Sequence, residues 1–402
     1  MDDLTRELAP TPYHVALSEY LRRAEPELWR WFEDLNSRSD SGEALRLELL
    51  KTTCRLDRAD YTALYEAADA ALLALGLDAE VFCYQSTSTG GLNASIACPA
   101  GEAHIVFTGN LLGLLSPEEL RAVLGHELAH YLLWREQNGV FKIADQLIHA
   151  AVNDFRSEPV HEQSARLLQL YTEIYADRGA WRVTADLPTT VAALVKVATG
   201  LPEINGNSYL RQAEDIFAKG PVQSQGLSHP ETYVRARALA IWVERGEDAE
   251  SDIQAMIEGT NGWETLDVVG QVRLTQMTRR MLGQMLRPEW IQTPAVLAHA
   301  KTFFPDFSVS ASDDPDLDAT LRQTASKFPD YFSAVLLDFA TVDPDIRDRA
   351  LSVALEWSDR CEMAKAFEKF AAKELDLKLR DLKKLRPKTT GSPDGIQNGT
   401  ES

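Results

Sequence analysis

The segment 116–133 constrains this chain more than any other. Ser116, Pro117 and Glu119 form a capping box, with proline where a missing N–H costs nothing. Apolar residues then follow at Leu120, Val123, Leu124, Leu128, Tyr131 and Leu132, with Ala122 and Ala129 among them. They surround most of the helix, so the spacing predicts a helix buried at a domain centre and not one lying on its surface. Inside that helix stand His126, Glu127 and His130. Polar side chains in such a place need a specific reason to be there.

The rest of the chain sets the frame. With 402 residues, 45% of them apolar and 25% charged, it is long enough for two or three domains with real cores. A formal net charge of −20 repels phosphate backbones and argues against a nucleic-acid partner. No stretch approaches the ~18 consecutive apolar residues of a membrane span, so no integral membrane segment is expected. The start MDDLTRELAP is acidic and has no apolar signal core. Cys54, Cys83, Cys98 and Cys361 show no CxxC spacing and are expected to be reduced thiols of a cytoplasmic protein.

The pattern predicts a mainly α (α+β) chain in four parts. Residues 1–45 read as an N-terminal helical segment, whose Trp29, Trp31 and Phe32 form an apolar patch expected to dock on something. Residues 46–247 form the main domain, with two helical patterns over 44–77 split near Leu56. Strands are expected at 80–85, 93–98 and 104–108, and the sequence leaves open which of the last two is the sheet edge. Residues 248–386 form a C-terminal helical domain with no recognisable chemistry, expected to take a protein partner. Residues 387–402 read as a polar, disordered tail.

The chemistry concentrates in Gly125-His126-Glu127-Leu128-Ala129-His130. His126 and His130 lie one turn apart on one helix face, where two imidazoles can grip one zinc ion. Glu127 points about 100° away, so its carboxylate can reach a water on the metal and act as general base. The alternative is a pair of histidines satisfied inside a core helix. A zinc hydrolase needs a third protein ligand, and Glu173 is the candidate, with Asp177 one turn on to accept the ring N–H of a ligand histidine. Taken alone, that pair also reads as a solvated acidic face. Leu167, Leu168, Leu170, Ile174 and Tyr175 around it make the helix at least half buried and favour a site.

At this point a resemblance is clear. HELAH, the later Glu173-to-Asp177 element, Asn93-Ala94 ahead of them, and Ser228-His229-Pro230 with Arg235 six residues after His229 occur in the order found in the gluzincin zinc metallopeptidases of the HtpX and CAAX prenyl protease type. The segment 108–133 resembles that family throughout, and the likeness covers roughly 56–245. It implies a zincin-like metallopeptidase domain with a small β-sheet, one Zn²⁺ per chain on His126, His130 and Glu173, and a protein or peptide substrate added as a strand at Asn93 and Ala94. It implies endopeptidase chemistry, with Glu127 as general base on a zinc-bound water and His229, or failing it Arg235, stabilising the oxyanion. His229 is alternatively an ordinary loop histidine, or a group that closes the zinc site in a latent form. Two departures stand out: the chain lacks a membrane span, which places it with the soluble branch, and the stretch 134–166 is long, as if to cover the cleft or take a partner. The competing reading is a latent or inactive zinc-binding scaffold, chaperone-like, acting through its helical C-terminal region. His14, His104, His149, His161 and His299 carry no partner motif and are expected to be structural or surface residues, with a reservation for His104 at the start of a strand.

Overall fold

A computed structural model describes residues 8–37, 41–88, 90–259 and 262–386. The tail expected at 387–402 therefore lies outside the described residues. The chain divides into two compact units, Met1–Asn261 with Thr265–Val269, and Gly262–Glu264 with Gly270–Ser402.

The first unit runs α1 (Pro12–Ala24), α2 (Pro26–Ser37), α3 (Ser41–Thr52), β1 (Thr53–Leu56), α4 (Thr62–Leu75), β2 (Glu80–Ser86), β3 (Asn93–Ala97), β4 (Glu102–Thr108), α5 (Leu111–Leu114), α6 (Pro117–Arg135), α7 (Val140–Val152), α8 (Pro159–Thr184), α9 (Leu187–Thr199), α10 (Gly206–Ala218), α11 (Thr232–Arg245) and α12 (Glu250–Glu258). The architecture is thus mainly α around one small mixed sheet of order β1-β2-β4-β3. β2 and β4 run parallel, while β1 and β3 flank them antiparallel. β3 is therefore an edge strand, which resolves the choice the sequence left open. Its register pairs Asn93 with Thr108 and Ala97 with His104. β1 was not expected: with four residues between two helices, it is too short to display an alternating pattern.

The sheet packs on α4 and α6 through Leu64, Tyr65, Val81, Ile105, Phe107, Leu124, Leu128 and Tyr131. The capping box of α6 forms as the sequence predicts. The Ser116 N–H donates to Glu119 Oε2 at 2.7 Å, and the Glu119 N–H donates back to Ser116 Oγ at 3.3 Å. The same carboxylate takes the buried Lys196 ammonium of α9 at 2.8 Å, so one residue fixes both the start of α6 and the position of α9.

A second cluster gathers Tyr13, Leu17 and Leu21 of α1, Trp29 of α2, Leu147 and Ile148 of α7, Leu170 and Tyr171 of α8, and Leu239 and Trp242 of α11. The tryptophan patch docks here through Trp29, with Phe32 partly buried beside it. Trp31 projects away and stays 56% exposed, because two residues on a helix point to nearly opposite faces. His14 fastens α1 to α8. Its Nδ1 accepts from the Thr11 N–H at 3.3 Å, so the ring proton sits on Nε2 and goes to Thr172 Oγ1 at 3.0 Å. That hydroxyl passes its own proton to the Leu168 carbonyl. Such a ring has no room for a second proton, and burial, with Arg178 nearby, pushes its pKa down to about 3.

The second unit is helical: η-turns aside, it comprises α13 (Val268–Met285, whose first residues belong to the first unit), α14 (Pro294–Phe303), α15 (Leu317–Lys327), α16 (Pro329–Thr341), α17 (Arg347–Arg360), α18 (Ala364–Glu374) and α19 (Leu379–Lys384). Phe332, Leu336, Leu355 and Phe367 are fully buried in it. No described helix is long and apolar enough to cross a membrane.

Two glycines decide how the central helices meet. A Cβ on Gly125 of α6 would lie 2.8 Å from Val183 Cγ2 of α8, and a Cβ on Gly179 of α8 would overlap Ala129 Cβ of α6. With those atoms present the two helices could not approach as they do. Gly179→Ala is expected to lower stability by about 1–3 kcal/mol through overpacking, read from urea unfolding; wild-type stability would refute the tight contact. His14 gives a pH signature. A folded pKa below the unfolded value of about 6.5 makes its contribution complete above pH 6.5 and lost as pH falls toward 3. Between pH 7 and 5 the wild type should lose about 2 kcal/mol more than His14→Gln. Parallel pH profiles for the two proteins would show that His14 titrates freely.

Candidate metal centre

The crossing of α6 and α8 brings the expected residues together. His126 Nε2 and His130 Nε2 lie 3.3 Å apart. Glu173 Oε2 is 3.5 Å from the first imidazole and Glu173 Oε1 is 3.7 Å from the second. Among the described residues these three form the set of mutually close groups able to hold a metal ion. Donor atoms about 2.0–2.1 Å from a tetrahedral zinc lie roughly 3.3 Å from one another, so the spacing fits such an ion. The donor set fits it too. Glu173 Oε2 is buried and accepts no hydrogen bond, which a cation would remedy.

The electrostatics are those of groups competing for one positive charge. Burial lowers the His126 pKa, but the Asp177 and Glu173 carboxylates beside it outweigh that and raise the value to about 10. Burial and the neighbouring His126 charge push His130 down to about 4. Burial would raise Glu173, yet Arg235 and the two imidazoles hold its carboxyl well below the usual range. Glu127, also buried, moves up to about 7, because burial and Glu173 outweigh His126 and Arg235.

Behind the cluster lies a second layer. Asp177 Oδ1 is 3.2 Å from His126 Nδ1. Arg235, from α11, grips Asp177 with Nε at 2.8 Å and Nη2 at 2.6 Å. Its Nη2 also lies 3.2 Å from Glu173 Oε2. Arg235 is thus engaged with the carboxylates that orient the site and is buried behind it. His229 sits at the rim, 57% exposed, with Nε2 at 3.5 Å from Glu173 Oε1. It is not one of the three mutually close groups.

A cleft of 790 Å³ runs over these residues. Asn93, Ala94, Ser95 and Ile96 of the edge strand β3 line one side of it. Leu194, Val197 and Ala198 of α9 give it an apolar stretch, and Trp134, Asp145, His149, Gln169 and Thr172 a polar one. The stretch 134–166 therefore contributes wall residues through α7. Sequence reasoning missed these: His149, expected to be structural or on the surface, lines the cleft with Nδ1 on the Asp145 carbonyl at 2.8 Å and Nε2 at 3.0 Å from Gln169 Nε2. No motif marks them. His104, by contrast, is buried between Phe82 and Tyr84 and bonded to Tyr84 and Glu102, away from the cleft.

Two imidazoles and a carboxylate on crossed buried helices, beside the edge strand of a small mixed sheet, match the His₂Glu donor set of a catalytic zinc site. The sequence model of peptidase family M48 matches residues 69–243. The chain is similar to the plastoglobule-localized metallopeptidase 48, chloroplastic, of Arabidopsis thaliana, with 30% identity over 165 residues, 37% of this chain and 47% of that protein. It thus spans about half the length of that curated relative. No solved structure matches the chain.

Asp177→Asn preserves shape but removes the charge facing His126. Zinc affinity is expected to weaken about 10–100-fold, measured by chelator competition at unchanged circular dichroism. Equal affinities would show that Asp177 does not orient the ligand.

Proposed function

We propose that this chain is a zinc-dependent endopeptidase that hydrolyses peptide bonds in protein or peptide substrates. Three donor atoms of His126, His130 and Glu173 at tetrahedral spacing carry the reading. One zinc ion per chain, held by those residues, would polarise the scissile carbonyl and acidify a water beside it. Glu127 takes a proton from that water and returns it to the leaving amine. Its carboxylate lies buried in the wall of the same cleft as the three donor residues. Asp177 and Arg235 keep His126 and Glu173 in place. His229, exposed on the rim next to Glu173, donates to the oxygen on which negative charge develops.

The substrate lies extended along β3. Among the described residues this strand has a partner on one side only, so the backbone at Asn93 and Ala94 receives a peptide by strand addition. The apolar stretch at Leu194 and Val197 takes one side chain of that peptide and the polar stretch at His149 another. A cytoplasmic location belongs to the same proposal, supported by Cys54, Cys83, Cys98 and Cys361, all free thiols. The relative named above is plastoglobule-localized, so cell fractionation is the test of that point.

The decisive comparison is wild type against Glu127→Ala on an unfolded protein, with products read by mass spectrometry. The variant should keep one zinc per chain and lose cleavage by about 10²–10⁴-fold. Internal cuts mark an endopeptidase, and stepwise trimming an exopeptidase. Equal behaviour of the two proteins would remove the enzyme and leave a zinc-binding scaffold.

A further inference from the structure

His229 is held by a segment without regular structure, 220–231, between α10 and α11. Its imidazole is largely exposed and contacts Ser228 Oγ at 2.9 Å, so the ring's position depends on its backbone. That backbone is anchored at one end where the Ser224 N–H donates to the Met256 carbonyl at 2.8 Å. It folds back at Gly226, where a Cβ would collide with the His229 carbonyl oxygen. The backbone at Gly226 therefore rests directly on the backbone at His229.

Arg166 closes this turn from α8. Its Nε donates to the Gly226 carbonyl at 2.8 Å and its Nη2 to the Ser224 carbonyl at 2.8 Å. Arg166, Glu173 and Asp177 are spaced by seven and four residues along α8, so all three project from one face of one rigid rod. The guanidinium fork has the planar geometry to satisfy two carbonyls at once, which an ammonium on a flexible stem lacks. The helix that supplies Glu173 thus also fixes the turn that carries His229.

We propose that Arg166 is a positioning residue: by clamping the carbonyls of Ser224 and Gly226 it sets the distance between His229 and Glu173. The catalytic consequence rests on the peptidase reading above; the positional one does not. If His229 assists only when placed, loosening the clamp removes its contribution while leaving the zinc residues intact.

The test uses zinc-loaded full-length protein. Arg166→Ala should lower kcat roughly 10²-fold, as expected for a misplaced group, with KM and zinc content unchanged. Arg166→Lys should recover only part of the loss. The Arg166→Ala/His229→Ala double variant should be no slower than His229→Ala alone, since both changes remove the same contribution. Gly226→Ala disturbs the same turn through a different atom and should resemble Arg166→Ala. Independently of turnover, hydrogen exchange over 224–231 should accelerate in Arg166→Ala, and the His229 ring resonances should shift toward those of a disordered peptide. Unchanged exchange and His229 resonances would overturn the clamp, as would losses that add in the double variant. If no version cleaves any peptide, the peptidase reading falls, and exchange with the His229 resonances alone upholds or overturns the clamp.

Discussion

The close contact of α6 with α8 is the constraint on which the site depends. His126 and His130 come from one helix and Glu173 from the other, so the donor spacing is set by how near two backbones can come. Gly125 adjoins His126, and Gly179 lies two residues past Asp177. Each removes the one side-chain atom that would hold the helices apart. The chemistry of the imidazoles and carboxylate thus rests on two residues that have no chemistry of their own.

That contact brings charge into a largely buried place, where an unpaired ion is costly. The structure answers with a chain of partners. Glu173 and Asp177 face Arg235, and Asp177 faces His126. Burial works against the charge on Arg235, yet the two carboxylates beside it hold the guanidinium firmly protonated. Three helices, α6, α8 and α11, meet through this network. The residues that ready the site for a cation are therefore also part of what holds the domain centre together.

Much of the site was legible in the sequence because it obeys local rules. The capping box of α6 and the one-turn spacings from His126 to His130 and from Glu173 to Asp177 follow from helix geometry alone. The mainly helical fold with a small sheet followed from the periodicities. Whatever depends on contacts far apart in sequence stayed hidden. β1 is stabilised by pairing with β2, not by its own four residues. The edge position of β3 follows from strand order, which periodicity does not encode. His149 of α7 and Gln169 of α8 meet in the cleft wall, and the Arg166 clamp joins residues about 60 apart. Trp29 and Trp31 looked alike in sequence, and only packing separated the buried ring from the exposed one.

The order of the parts along the chain has a consequence for synthesis. His126 and His130 leave the ribosome first, Glu173 and Asp177 follow, and Arg235 comes last of all. Until α11 docks, the carboxylates of α8 have no guanidinium to neutralise them, and the crossed helices lack the partner that makes their burial affordable. A nascent or truncated chain ending before Arg235 therefore holds the two histidines without the surroundings that order them. A site assembled in this order is complete only once α11 has docked and Arg235 faces the carboxylates of α8.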